Sequence, residues 1–126
     1  MESKTFSFEK LEAWKNAKII ALKTFKITEQ FPDARFSAIA NQMRRSAISI
    51  SSNIAEGQGR IEGKEQSQFY KFAYSSLMEL LNQYILSHEL NLMSKSDYEE
   101  IRNLIQNTSF QLNGLNRYTR SKIKEK

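Results

Sequence analysis

Residues 41–60 read NQMRRSAISISSNIAEGQGR, and this stretch decides the fold class. On a helix its apolar residues share one side with those just before it, namely Phe36, Ile39, Ala40, Met43, Ala47, Ile50 and Ile54. The opposite side is polar and holds Arg45, Ser49, Ser52 and Glu56. A narrow strip between the two sides contains Ser37, Arg44, Ile48, Ser51 and Ala55. Because small side chains dominate, we expect a helix that neighbouring backbones approach closely.

Residues that break helices are rare in the whole chain, which has one proline and four glycines among 126 residues. Few breakers favour long helices, and the apolar spacing predicts four of them in one domain that covers residues 1–126. The expected bounds of these helices are 8–30, 36–58, 63–91 and 96–123. Connections of a few residues favour antiparallel neighbours, so the sequence predicts an all-α, antiparallel up-and-down four-helix bundle.

Local signals predict where three of these helices end or begin. The first ends before Pro32, because a residue that precedes proline avoids the α region. Gly57 and Gly59 favour a left-handed backbone at the end of the second helix. The fourth helix is expected to start at Ser96, which forms a capping box with Glu99.

The first helix has an unusually wide apolar surface. Its main face is predicted to consist of Leu11, Trp14, Ala17, Ala21, Leu22, Phe25 and Thr28. Four further residues extend that face past half of the circumference, namely Ala13, Ile20, Ile27 and Phe31. A helix in a small monomer usually needs one apolar stripe, so the extra width predicts a second burial surface against a helix or another subunit.

The sequence offers little for catalysis or for binding a metal or cofactor. Cysteine is absent, which excludes disulfides and thiolate metal sites. The only histidine, His88, follows Ile85 where a Glu-x-x-His metal motif needs Glu, so we expect a buried or interfacial histidine. The glycines of residues 57–63 fail both phosphate-loop patterns, although the helix start at Gly63 and Lys64 could still hold a phosphate. We therefore expect no catalytic residue, no metal ligand and no cofactor.

No stretch reaches the ~18–20 apolar residues of a membrane span, and residues 1–8 lack a signal pattern. A cytoplasmic protein without membrane contact is expected. The net charge is +5, and most of the excess lies in the last ten residues. Such a tail is typical of an arm that touches an acidic partner, and equally of a solvated helix end whose cations favour the helix dipole.

Seven cations are candidates for phosphate contacts with a nucleic acid: Arg44, Arg60, Lys64, Arg117, Arg120, Lys122 and Lys124. Arg45 can instead align with Glu56 in a polar strip at a helix or subunit contact. Among the aromatic residues, Phe72 and Phe110 fall off the main apolar stripes. They could stack on bases or contact another subunit.

Two segments resemble a known family. Residues 8–14, FEKLEAW, are similar to the F-x-x-L-x-x-W opening of the 23S rRNA intervening-sequence proteins, also called the four-helix bundle protein family. Residues 42–57, QMRRSAISISSNIAEG, resemble the Q-x-R-R-A-x-x-S-I-x-x-N-I-A-E-G signature of that family. The likeness continues through residues 59–79, although Glu62 stands where Ser or Thr is usual.

The resemblance implies a bundle that assembles as a ring, often a homopentamer. Members were first noticed as reading frames inside insertions of bacterial large-subunit rRNA genes, and a related bundle binds nucleic acid. We assign these residues to packing and assembly: Trp14, Arg45, Ser49, Ser52, Asn53, Ala55, Glu56 and Gly57. The first hypothesis is a non-catalytic homo-oligomer that binds RNA or another nucleic acid. The alternative is a ring-shaped protein-interaction scaffold with no nucleic-acid role.

Overall fold

The computed structural model describes residues 4–123, which form four α-helices and no strand. The helices are α1 (Glu12–Glu29), α2 (Ser37–Gln58), α3 (Gly63–Glu89) and α4 (Lys95–Ser121). Short 3-10 turns at Ser7–Lys10 and Ala34–Phe36 precede α1 and α2. The predicted all-α four-helix bundle is confirmed, and each predicted helix has its counterpart.

Hydrogen bonds between helices give their relative directions. Ser46 bonds to Glu79 and Ser49 to Ser76, so residue numbers rise along α2 as they fall along α3. Side-chain pairs between α1 and α4 show the same antiparallel order. Each helix contacts its two neighbours around a four-membered ring, and the contact between α2 and α3 is the most extensive. Across the described residues, no helix combines the length and the apolar character that spanning a membrane requires.

The buried face of α2 is the predicted one. Ala40, Met43, Ala47, Ile50 and Ile54 are all buried in the centre of the bundle. The last four pack with apolar residues of the other three helices: Ala13, Ala17, Ile20, Tyr70, Ala73, Leu77, Leu80, Tyr84, Ile101, Ile105 and Leu112. A single continuous core of this kind is what four amphipathic helices produce when each turns one stripe inward.

The predicted face of α1 is partly wrong. Leu22 is 62% exposed and Phe25 is also exposed, although both were placed on the main apolar face. The buried residues are instead small or β-branched: Ala13, Ala17, Ile20, Thr24 and Thr28. The helix is rotated because small side chains let it come closer to its neighbours, and the larger residues remain outside. Leu22 and Phe25 of the predicted main face thus form an apolar surface on the outside of α1.

Thr24 is buried because it has a partner inside the core. Its hydroxyl donates to the carbonyl of Ile20 at 2.8 Å and lies 2.6 Å from the hydroxyl of Tyr84. Burial raises the pKa of Tyr84 well above its usual range, so the phenol stays protonated and donates to Thr24. This bond joins α1 to α3 across the diagonal of the bundle.

Two predicted helix starts need correction. Helix α1 begins at Glu12 and not near Phe8, because Leu11 is extended (φ −76°, ψ 127°) and separates α1 from the 3-10 turn. Helix α4 is capped by Ser94 and not by Ser96. The Ser94 hydroxyl accepts from the amide of Asp97 at 3.0 Å, which satisfies one of the unpaired amides of the first turn.

The two glycines at the end of α2 do not adopt the predicted left-handed backbone. Gly57 lies inside the helix, and Gly59 has a φ of −79°. The left-handed residue is Asn91, with a φ of 60°, just after α3. There the amide of Leu92 donates to the carbonyl of Ser87, which closes the end of α3 in a Schellman arrangement.

Gly57 is needed for a different reason, which is the close approach of α3. A Cβ atom on Gly57 would lie 2.8 Å from Cε1 of Tyr70 and 3.0 Å from Cβ of Phe69. Phe69 Cβ is fixed to its backbone and the Tyr70 ring is fully buried, so neither can move aside at little cost. The helices can meet here only if position 57 has no side chain.

We expect Gly57→Ala to destabilise the protein, because α3 must shift to admit the new methyl group. Overpacking costs ~1–3 kcal/mol and exceeds the ~1 kcal/mol that Ala gains over Gly in a helix, so the expected net loss is about 1 kcal/mol. Thermal melting followed by circular dichroism measures it.

Gly59→Ala is the matched control. A Cβ atom on Gly59 would meet nothing closer than 3.5 Å, and its backbone suits any residue. We expect this variant to melt at or slightly above the wild-type temperature. The explanation is wrong if Gly57→Ala melts as high as Gly59→Ala.

Candidate functional site

The polar side of α2 divides into an inner row and an outer row. The inner row faces α3, where the hydroxyls of Ser49 and Ser76 lie 2.8 Å apart. The amide of Asn53 donates to the carbonyl and the hydroxyl of Ser49, at 2.8 and 3.0 Å. With Gly57 one turn further on, these residues form the seam between the two helices. They satisfy each other's polar groups, which supports the structural role assigned to Ser49, Asn53 and Gly57.

The outer row of α2 consists of Arg45, Ser52 and Glu56, and all three are exposed. Arg45 and Glu56 share this row, and Glu56 has an ion-pair partner outside it. It accepts from Arg60 at 2.9 Å, one turn along the helix, because that spacing places the two side chains next to each other. Ala55 is half-buried in the intermediate strip.

Trp14 holds the segment before α1 against the bundle. Its ring contacts the edge of Phe8 at a centroid distance of 5.0 Å, and the ammonium of Lys18 lies 5.2 Å from it on the next turn. Trp14 is half-buried at the rim of the core. This placement fits a packing role for Trp14.

The predicted phosphate-contacting cations are split between two ends of the bundle. The end where α2 and α4 finish and α3 begins is called here the basic end. Within residues 4–123, the predicted phosphate-contacting cations at this end are Arg60, Lys64, Arg117, Arg120 and Lys122. Lys124 lies outside the described residues.

Contacts at this end bring α3 and α4 together. A Cβ atom on Gly63 would lie 3.0 Å from Cγ1 of Ile123, so the end of α4 packs against the start of α3. Between Arg117 and Ile123 there are three cations and no acidic residue. Acidic residues offset part of this charge, namely Glu56 of α2, Glu65 of α3 and Glu62 in the connection between the two helices.

Arg60 belongs to a stack of planar groups on the same end. Its guanidinium lies 4.8 Å from the ring centroid of Phe69. Phe69 in turn meets Phe72 at 6.0 Å with the two rings nearly perpendicular. The backbone carbonyl of Arg60 accepts from the side-chain amide of Gln66, which fixes the connection between α2 and α3. Sequence spacing did not reveal this stack.

Arg44 is not part of the basic end. Its Nε donates to the hydroxyl of Thr28 at 2.9 Å, and its guanidinium lies 5.4 Å from the ring of Phe25. Thr28 is in the last turn of α1, at the opposite end of the bundle. Arg44 thus joins α2 to α1, and we assign it to packing and not to ligand contact.

An apolar surface lies along the groove between α1 and α2. Leu22 and Phe25 project from α1, and Ile48, which is 48% exposed, projects from α2 one turn along from Arg44. We call these three residues the α1–α2 face. Exposed apolar residues that adjoin one another commonly mark a surface for protein contact.

His88 lies between α3 and α4. The His88 ring stacks on Tyr98 at 4.1 Å with an angle of 12° between the planes. Within residues 4–123, no three His, Asp or Glu side chains are grouped so that they could hold a metal ion. His88 therefore packs at the contact between α3 and α4, as expected for the structural interpretation.

Antiparallel order, ring-like neighbour contacts and a single core define an up-and-down four-helix bundle. The chain belongs to the family of 23S rRNA-intervening sequence proteins, whose family model matches residues 9–114. The matched range includes α1, α2, α3 and most of α4. The resemblance found in the sequence motifs is confirmed.

A crystal structure of a protein of unknown function from Bacteroides thetaiotaomicron, described as belonging to the S23 ribosomal protein family, has the same fold. The TM-score is 0.77 at 16% sequence identity, and the match covers 82% of this chain and 97% of that one. At this identity the likeness concerns the fold alone. None of the curated proteins compared with the chain is similar enough in sequence to count as a match.

Arg44→Ala should lower the free energy of unfolding by ~1–2 kcal/mol, because it removes a charged hydrogen bond and a cation–π contact between two helices. Arg45→Ala is the matched control, since it removes the same charge from the adjacent exposed position. We expect it to change stability by less than ~0.5 kcal/mol. Urea unfolding measures both variants, and equal losses would contradict the packing role of Arg44.

Proposed function

We propose that this protein is a non-catalytic homo-oligomer that binds RNA or another nucleic acid through phosphate contacts at its basic end. The single observation that supports this most is the concentration of exposed cations where α4 ends beside α3. The end of α4 carries three exposed cations, Arg117, Arg120 and Lys122. Arg60 and Lys64 lie at the same end of the bundle. Phosphate contacts by such cations need no enclosed pocket. An RNA partner would fit the cytoplasmic location expected from the sequence.

Oligomerisation strengthens this proposal because one basic end offers only a few phosphate contacts. In a ring each copy adds its own set of cations, so weak contacts add up along one nucleic-acid molecule. The α1–α2 face supplies apolar surface that a second copy can cover. The homopentamer suggested by the family resemblance is one such ring.

The name of the matched family links its members to an intervening sequence of 23S rRNA. An RNA partner is therefore the first to test. Glu56 and Glu62 lie near the cations and limit the positive potential. Because each phosphate contact releases counterions, we expect binding to depend strongly on salt.

The alternative is a scaffold that assembles through the α1–α2 face and recruits a protein without nucleic acid. The exposed apolar residues favour this candidate independently of charge. It predicts complexes that survive nuclease and high salt. It also predicts that the purified protein does not bind RNA even at low salt.

Replacing Arg117, Arg120 and Lys122 by Gln should weaken RNA binding at every sequence tested. Each phosphate contact to a single strand contributes about 0.7 to the slope of log K against log salt, so the slope should fall by up to ~2. Fluorescence anisotropy with labelled RNA over a series of salt concentrations measures this.

A second triple variant, Lys26, Lys95 and Arg102 to Gln, removes the same charge from the opposite end and should leave the salt slope unchanged. If both triple variants lose RNA affinity equally, binding depends only on the net charge of the protein and not on the basic end. Absence of binding by the wild-type protein at low salt would overturn the proposal and favour the scaffold.

A further inference from the structure

Phe72 presents an aromatic ring to solvent beside Phe69, the ring that carries the Arg60 guanidinium. The side chain is 46% exposed, whereas its neighbour Phe69 is half-buried against the seam between α2 and α3. The perpendicular contact with Phe69 holds the Phe72 ring from one side. An exposed aromatic ring that is held in place by another ring loses little further freedom when a ligand stacks on it.

Arg60 places a positive charge beside this pair of aromatic rings. Its guanidinium covers Phe69 and also borders a shallow open depression on α2, lined by Ser52, Ala55, Glu56 and Gly59. Its ion pair with Glu56 is solvent-exposed on both sides and so contributes little stability. A phosphate can therefore take the place of Glu56 as the partner of Arg60.

We propose that Phe72, Phe69 and Arg60 form a stacking platform for an unpaired nucleobase, with the adjoining phosphate on Arg60. This inference rests on the proposed function and specifies its substrate class as single-stranded nucleic acid. The bases of a duplex already stack on each other and their faces are inaccessible to Phe72. A single strand exposes both a base face and a flexible phosphate, which suits an aromatic ring beside a guanidinium.

The test compares ring-removing and ring-keeping variants. With an unstructured RNA of roughly 20 nucleotides, Phe72→Ala should lower affinity ~5- to 150-fold, the range expected for losing one base–aromatic stack. Phe72→Trp should keep wild-type affinity within ~3-fold, since indole also stacks. Phe72→Leu should behave like Phe72→Ala, because it keeps apolar volume but no aromatic face.

Phe110→Ala is the matched control, since Phe110 is an exposed phenylalanine on α4 outside the stack. It should bind the single strand as the wild type does. A blunt-ended RNA duplex of the same length should bind wild type and Phe72→Ala equally. A single-stranded DNA of the same sequence should lose affinity with Phe72→Ala as the RNA does, since both offer a base face.

The inference is overturned if the wild type binds single-stranded RNA and Phe72→Ala binds it equally well, and in that case the proposed phosphate binding still stands. It is also overturned if Phe72→Leu retains full affinity, or if Phe72→Ala loses the duplex and the single strand alike. Failure of the wild type to bind any RNA at low salt overturns both proposals. The native mass and the melting temperature of each variant are measured as well. A changed mass of the Phe72→Ala assembly would assign the Phe72 ring to a subunit contact.

Discussion

The bundle depends on how closely α2 and α3 approach each other. Gly57 leaves room for the Tyr70 ring, and the paired hydroxyls of Ser49 and Ser76 keep the seam narrow further along. Small side chains at a helix contact shorten the distance between axes, and the rest of the core must fit that distance. Helix α1 must also fit this distance. It turns Ala17 and Thr24 inward, and the buried Thr24 hydroxyl forms a hydrogen bond with the Tyr84 hydroxyl.

This close packing determines what remains on the surface. A narrow core has no room for the large residues of α1, so Leu22 and Phe25 lie outside beside Ile48 of α2. At one end, the up-and-down order places the finishing turns of α2 and α4 beside the start of α3. Cations from three separate parts of the chain are thereby gathered. Core packing and topology thus create an apolar face and a basic end on different parts of one small bundle.

Helical periodicity was sufficient to predict the bundle and the buried face of α2, since Met43, Ile50 and Ile54 repeat at helical spacing. It misplaced the face of α1, because hydrophobicity favours Leu22 over Thr24 and cannot reveal that Thr24 has a partner on α3. The grouping of cations at the basic end follows from the up-and-down order of the helices. The separation of Arg44 from them, and the stacking of Arg60 on Phe69, depend on side-chain conformations that spacing does not encode.

We propose that copies of the chain cover the apolar surface that the core leaves outside. Light scattering of the wild type and of a Leu22→Glu, Ile48→Glu double variant tests it most directly. We expect the wild type to have several times the 14.7 kDa chain mass and the double variant to have the mass of one chain with its helices intact. Ile61→Glu, at a position 98% exposed between α2 and α3, should assemble normally. A monomeric wild type, or a double variant that keeps the assembled mass, would contradict the claim.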